Sequence, residues 1–385
     1  MRHSRFLLVL SFSYACSPDR TETTAPHFAS LHDEVASIAV SPSSATVVVG
    51  DVAQLEALVF NKQGISQAER MVRWLSSNSL VASVTSTGLV TAHSAGDAVI
   101  AAATMGKKSI TGQSHITVIE KQPGRIAFMS DRSGNNEVWV INDDGTGLTQ
   151  ITEDGNDDLH PTWSPNGGKL AWYSFRAGNL DIFTMNSDGT SQTRVTSQPG
   201  ADAHPSWSPD GGRIAYQSAG VFDHDIYVIN VDGSGPLNLS NNPAHDFDPF
   251  WSADGTRIVF DAFRSGTQQL WVMNSDGSSP RQLTSIGINR TSAWSPDGTM
   301  IAFTSNRDGN EEIYVMNADG ANQRRLTFEP GSDDTAWWSP ASKQLVFASN
   351  RSGQFRLYIM DLDGSNVHQL STGLGRDFAP SWSRR

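Results

Sequence analysis

Tryptophan returns in this chain at a fixed stride: Trp163, Trp207, Trp251, Trp294, Trp338 and Trp382 are separated by 44, 44, 43, 44 and 44 residues. A unit that short cannot enclose a core of its own, so it must bury its apolar faces against copies of itself. Each unit reads as four short strands, a to d. In the unit opened by Trp207 they are Pro205 to Ser208, Arg213 to Gln217, Asp225 to Asn230 and Leu237 to Leu239. Pro209-Asp210-Gly211-Gly212 joins a to b, and Val231-Asp232-Gly233 joins c to d. Asp-Gly between apolar runs supplies the positive φ of a tight hairpin. Four-strand units at this period are propeller blades.

The ends of the array predict how the ring closes. The first copy, from Arg125, begins at strand b, and the last, Pro380-Ser381-Trp382-Ser383, supplies only strand a. The expected fold is all-β: a six-bladed β-propeller over residues 121–385, its C-terminal strand closing the first blade so that no sheet edge stays open there. Trp294-Ser295-Pro296-Asp297-Gly298, the run Ile301 to Asn310 and the run Ile313 to Gly320 resemble the repeat of TolB-type propellers, from Arg125 to the chain end. The resemblance implies the fold and leaves the function open, since propellers of this type serve in envelope scaffolds, peptidases and sugar-degrading enzymes.

Residues 36–120 have a different texture, with short alternating runs such as Ala45 to Val49, Leu55 to Phe60 and His115 to Ile119 around one tryptophan, Trp74. This predicts a small β-sandwich. The order Val49-Gly50-Asp51, Val72 to Asn78, Val81 to Val84, Gly88 to Ala92 and Ala95 to Ile100 resembles group 2 bacterial Ig-like domains. That resemblance implies a spacer, with Trp74 in its core.

The chain opens with Arg2 and Arg5 and an apolar stretch ending at Ala15-Cys16, which reads as a signal peptide over 1–16 and is too short to span a bilayer. Ala15-Cys16 resembles the end of a bacterial lipoprotein signal, although Ser13 and Tyr14 stand where Leu and a small residue are usual. The resemblance implies lipidation of Cys16 and a lipid anchor in the cell envelope, at the outer membrane given Ser17 rather than Asp next in line; the alternative is ordinary secretion. Cys16 is the single cysteine, so no disulfide forms within the chain. Residues 17–35, rich in Thr, Ser, Pro, Asp and Glu, read as a tether. The formal net charge of −12 argues against nucleic acid as a partner.

The short a–b and c–d hairpins share one face of the ring, which leaves the more variable d–a and b–c loops on the other as the binding candidate. Asp158, Asp202, Asp246, Asn289, Asp333 and Asp377 stand five residues before the strand-a tryptophans, at the expected channel mouth. They predict either an anionic ring for a cation or basic peptide, or caps paired with the b–c loop arginines Arg132, Arg176, Arg264, Arg307 and Arg351. The loop after Ser218 has no such arginine.

Two residues further on come His160, His204, Asp248, Thr291, Thr335 and Ala379. His160, His204 and Asp248 fall in successive blades, and two imidazoles with a carboxylate make a possible divalent metal site. They also partly resemble the channel histidines of propeller-type oligogalacturonate lyases, without the fuller ligand set of that family. Chance placement of polar groups in a wet channel is the plainer reading. No Gly-x-Ser-x-Gly elbow or phosphate-binding Gly-Lys-Ser/Thr loop is present, and Asp361-Leu362-Asp363-Gly364 reads as a turn rather than a calcium loop. The expected function is non-enzymatic binding, an adaptor that engages an envelope protein or cell-surface glycan. The alternative is a metal-dependent carbohydrate-active enzyme acting at the channel.

Overall fold

The computed structural model describes residues 34–68, 70–105, 109–220 and 223–383, so the expected signal peptide, Cys16 and most of the tether lie outside the described residues. The chain divides into two compact units between Gln122 and Pro123.

Among the described residues the first unit contains nine strands in three sheets. β1 (Val35–Ser41) pairs with β4 (Glu56–Asn61). β2 (Ser44–Val48), β9 (Thr111–Ile119), β8 (Gly96–Thr104) and β5 (Val72–Ser76) form a second sheet, and β3 (Val52–Gln54), β7 (Leu89–Ala92) and β6 (Ala82–Val84) a third. Strict alternation along β9 buries Gly112, Ser114, Ile116 and Val118 and exposes the residues between them, as a strand with one covered face requires. Ile38, Val59, Ile100 and Ile116 form the core, and Trp74 packs against it partly buried. Gly88, at φ +82°, lets the chain pass close to that ring: a Cβ there would stand 2.9 Å from Trp74 and 2.4 Å from the Leu55 carbonyl oxygen.

Among the described residues the second unit is six four-stranded antiparallel sheets. In the order a to d, blade 2 is Asp158–Trp163, Lys169–Ser174, Asp181–Asn186 and Thr193–Arg194. Blade 3 is Asp202–Trp207, Arg213–Ala219, His224–Asn230 and Leu237–Asn238, and blade 4 is Asp246–Trp251, Arg257–Ala262, Gln269–Asn274 and Arg281–Gln282. Blade 5 is Asn289–Trp294, Met300–Ser305, Glu312–Asn317 and Arg324–Arg325, and blade 6 is Asp333–Trp338, Gln344–Ser349, Arg356–Asp361 and His368–Gln369. Blade 1 joins the two ends of the array. Its strands b, c and d are Arg125–Ser130, Glu137–Asn142 and Thr149–Gln150, and its strand a is Asp377–Trp382, with Ile126 opposite Trp382 and Ser130 opposite Asp377.

The apolar cores lie between blades rather than within them. Ala171, Tyr173 and Ile182 of blade 2 pack with Trp207, Ile214 and Tyr216 of blade 3, and Ile126 and Phe128 of blade 1 pack with Val346, Leu357 and Ile359 of blade 6. The recurring tryptophans are wedges in these seams. The indole N–H of Trp207 donates to the Thr162 carbonyl of the preceding blade at 3.2 Å, and that of Trp338 to the Ala293 carbonyl at 3.0 Å.

Candidate functional site

Each strand a carries a β-bulge, and the residue at it is left-handed: His160, His204, Asp248, Thr291, Thr335 and Ala379 have φ between 47° and 55°. None is glycine. Bulges re-aim side chains, and here they turn these six residues into the channel, whose lining includes all of them. Branched residues at positive φ are uncommon and costly, and such strain concentrates at functional sites.

The acidic positions do not stand at the mouth. Asp158, Asp202, Asp246, Asn289, Asp333 and Asp377 are all fully buried, which corrects the expectation of an anionic ring. Pairing with the loop arginines is what the structure contains. Arg132 donates to Asp377 at 2.6 Å, Arg176 to Asp158 at 2.5 Å, Arg351 to Asp333 at 2.8 Å and Arg307 to the Asn289 side-chain oxygen at 2.8 Å. Arg264 grips Asp246 through Nε at 2.8 Å and Nη2 at 2.6 Å. Each pair lies within one blade and ties strand a to the b–c loop. Asp202, in the blade without the arginine, has no guanidinium on it and only the Ser218 and Thr196 hydroxyls and the charge of Arg194 to favour its ionised form.

His160, His204 and Asp248 are brought together. His204 Nδ1 stands 2.6 Å from Asp248 Oδ1, and the His160 and His204 rings are 4.2 Å apart with Tyr173 beside both. They form a hydrogen-bonded stack rather than a convergent ligand set. Among the described residues no three His, Cys, Asp or Glu side chains are placed to hold a metal ion. Burial, with His204 adding to it, pushes His160 down to about 3, so its imidazole is neutral at physiological pH. Burial works to raise Asp248, but His204, through its charge and hydrogen bond, together with His160 and Arg290, holds it below the usual carboxylate range. Asp261 is pushed well above the usual carboxylate range by burial and by the charge of Asp248.

Repeat positions not singled out from the sequence complete the site. Opposite the second residue of strand a, strand b places Met129, Tyr173, Gln217, Asp261, Thr304 and Ala348 in blades 1 to 6. The residue before this position is aromatic in every blade and the residue after it is serine in all but blade 4, so variation at this one position is a legible signal in the repeat. The result is lopsided. Blade 1 offers Met129 and Phe378, whereas blades 3 to 6 offer a linked polar set. The Gln217 side-chain oxygen accepts from the Asp248 backbone at 3.1 Å, Gln268 donates to Asp261 at 2.5 Å, and Thr304 donates to Asp334 at 2.8 Å. Arg290 pairs with Asp334 at 3.0 Å and with Glu311. A groove of about 550 Å³ opens over this sector, walled by Phe247, Phe263, Ile288, Arg290 and Glu311 as well as His204 and Asp248.

The loop face exposes large apolar side chains: Phe175 and Phe263 in b–c loops, and Ile286, Ile288, Phe328 and Leu374 in d–a loops, of which Phe263 and Ile288 wall the groove. Elsewhere on the described propeller only Leu148, Leu237 and Val367 do so.

Closed four-stranded blades around a polar channel, with one apolar and variable loop face, define a β-propeller, here preceded by an Ig-like sandwich. Residues 120–220 and 192–292 match the TolB beta propeller domain family, residues 267–382 the Tricorn protease N-terminal beta propeller domain, and residues 34–121 the group 2 bacterial Ig-like domain. The chain is a TolB-like propeller protein with an N-terminal bacterial Ig-like domain. TolB from Acinetobacter baumannii aligns with a TM-score of 0.64 at 20% identity, covering 78% of this chain and 81% of that one. Putative TolB from Agrobacterium tumefaciens aligns at 0.54 and 24% identity, covering 66% and 91%. Hydrazine synthase from Kuenenia stuttgartiensis aligns at 0.57 and 15% identity, covering 68% and 47%. At these identities the likeness is one of fold alone. No curated protein matches the sequence.

Proposed function

We propose that this protein is a non-enzymatic binding module of the bacterial cell envelope, capturing a protein partner on the d–a and b–c loop face of its propeller. The observation that carries the reading is the concentration of exposed Phe175, Phe263, Ile286, Ile288, Phe328 and Leu374 on that face, with Phe263 and Ile288 at a groove with charged walls. Apolar anchors ringed by polar groups are how protein interfaces concentrate their energy. The signal-like start of the chain and the resemblance of both domains to envelope modules support placement there, with Cys16 as the tether to the outer membrane and the Ig-like unit as spacer.

The test is capture of envelope proteins by the purified chain, comparing Phe263→Asp and Phe328→Asp with Leu148→Asp and Val367→Asp. Loss of a specific partner in the first pair alone is expected. Equal loss in both pairs, or retention of saccharides and no protein, would sink the reading.

A further inference from the structure

The propeller contains five copies of one device and a sixth from which a single part is missing. In blades 1, 2, 4, 5 and 6 the b–c loop arginine lies over two aromatic rings, one from strand b and one from strand c. Arg176 is 5.2 Å from both Trp172 and Phe183, Arg307 is 5.4 Å from Phe303 and 4.8 Å from Tyr314, and Arg351 is 5.3 Å from Phe347 and 4.9 Å from Tyr358. The same guanidinium donates through Nη2 to the first residue of strand a. Where strand b ends in serine, it also donates through Nε to that hydroxyl: Arg132 to Ser130, Arg307 to Ser305 and Arg351 to Ser349, each at 2.9 Å, and Arg176 to Ser174 at 3.2 Å.

Among the described residues, blade 3 has every part of this cradle except the guanidinium. Ser218 occupies the serine position, Tyr216 and Tyr227 the ring positions, and Asp202 the carboxylate position, while Gly220 stands where the arginine should be. Tyr216 and Tyr227 lie 5.8 Å apart at 33°, against 5.6 Å and 30° for Trp172 and Phe183, 5.6 Å and 29° for Phe303 and Tyr314, and 5.9 Å and 31° for Phe347 and Tyr358. The rings of blade 3 thus hold the arginine-loaded geometry without an arginine. Asp202 is fully buried with no guanidinium on it: its near polar neighbours are the Ser218 and Thr196 hydroxyls, and Arg194 is paired with Asp181 at 2.7 Å.

We infer that blade 3 holds an open guanidinium site, and that the partner captured on this face inserts an arginine side chain into it. The inference rests on the loop-face reading above and names the chemistry of the partner. A carboxylate taken out of water is strongly disfavoured without a counter-charge, and a planar donor fork between ring faces is the group its five sister sites accept. Lysine lacks the fork and stacks less well, so the site discriminates between the two cations. The b–c loops that deliver the five internal arginines belong to the loop face, so an arginine of a partner held on that face approaches the cradle from the same side as they do.

The test needs no partner in its first arm. The purified protein is titrated calorimetrically at neutral pH with N-acetyl-arginine amide and, separately, with N-acetyl-lysine amide. Saturable binding of the arginine compound, and about tenfold weaker binding of the lysine one, is expected. Asp202→Asn, which is isosteric, should weaken arginine binding by about tenfold or more. Gly220→Arg should abolish it by filling the cradle from within. Gly220 lies outside the left-handed region, and a Cβ there meets only the movable Asp223 side chain closely, at 2.7 Å, so the substitution is tolerated. Absence of saturable binding, equal affinity for lysine, or binding that survives both substitutions overturns the inference. In the second arm Gly220→Arg should lose the partner that Phe328→Asp also loses. Capture that depends on Phe328 but not on Gly220 leaves the loop-face reading standing and overturns arginine insertion.

Discussion

Burial keeps a proton on Asp202 and keeps one off His160, and the two effects tilt stability in opposite directions with pH. Asp202 is raised from an ordinary 3.8 to about 6 by burial, against the pull of the Ser218 and Thr196 hydroxyls. Between those values the folded chain holds a proton that the unfolded chain has released, so stability falls as pH rises through the window. Asp202→Asn removes that loss and should stabilise the protein by roughly 2 kcal/mol at neutral pH, with the gain vanishing below about pH 4. His160 has the reverse sign. Its folded value of about 3 lies below the ordinary 6.5, so the unfolded chain takes up a proton that the folded chain refuses, and stability falls as pH falls from 6.5 toward 3. His160→Asn should flatten that acid limb. Urea midpoints across pH separate the two, and an Asp202→Asn shift of equal size at acidic and neutral pH would show that its carboxyl is not perturbed as described.

At the scale of the strand, the bulge decides what was readable from sequence. In a regular strand, residues two apart share a face. Asp202 and His204, or Asp158 and His160, therefore read as joint occupants of the channel mouth. The left-handed residue breaks that parity, turning the histidine into the channel while the aspartate stays buried under its own b–c loop. No glycine flags the bulge, so it is invisible to turn chemistry even though the repeat itself exposed blade limits, hairpins and closure. The Arg–Asp pairing was legible as one of two alternatives because both residues recur. The polar sector of Gln217, Asp261, Arg290 and Asp334 was not, because it assembles across blades from positions that recur only in place and not in identity.

The bulge also makes its own prediction. Thr335 is β-branched at φ 53°, and its hydroxyl is buried without a partner. Glycine relieves the left-handed strain, worth about 1–2 kcal/mol, against about 0.5–1 kcal/mol of added unfolded-state entropy. Thr335→Gly is therefore expected to be neutral or stabilising in thermal unfolding. Thr162→Gly, in the extended part of strand a of blade 2, should destabilise. Equal losses at both sites would mean that the left-handed position carries no strain.

Over the whole molecule, the ring is held shut by one strand from the far end of the chain. Asp377–Trp382 supplies the inner edge of blade 1, Trp382 fills the seam with blade 6, and Asp377 accepts from Arg132 across 245 residues of sequence at 2.6 Å. Arg376 adds a clasp to Asp131 at 2.9 Å just outside it. Joining the ends lets every interblade core have a partner on both sides, whereas an opened ring leaves blade 1 with a bare strand edge and blade 6 with an uncovered apolar face. Deleting residues 377–385 should therefore abolish the cooperative melting of the propeller and leave that of the Ig-like unit, which has its own core. A gentler change isolates the charge from the strand. Asp377→Asn leaves Arg132 buried against a neutral amide, as Arg307 already is beside Asn289, and near it Arg356, 3.7 Å from Asp377. Because Arg307 shows that an amide can receive a loop arginine, the loss should be smaller than the 3–5 kcal/mol typical of a broken buried pair, about 1–2 kcal/mol. Differential scanning calorimetry reads both variants. A truncated chain whose propeller still melts as one cooperative unit at the original temperature would show that the ring does not depend on its closing strand.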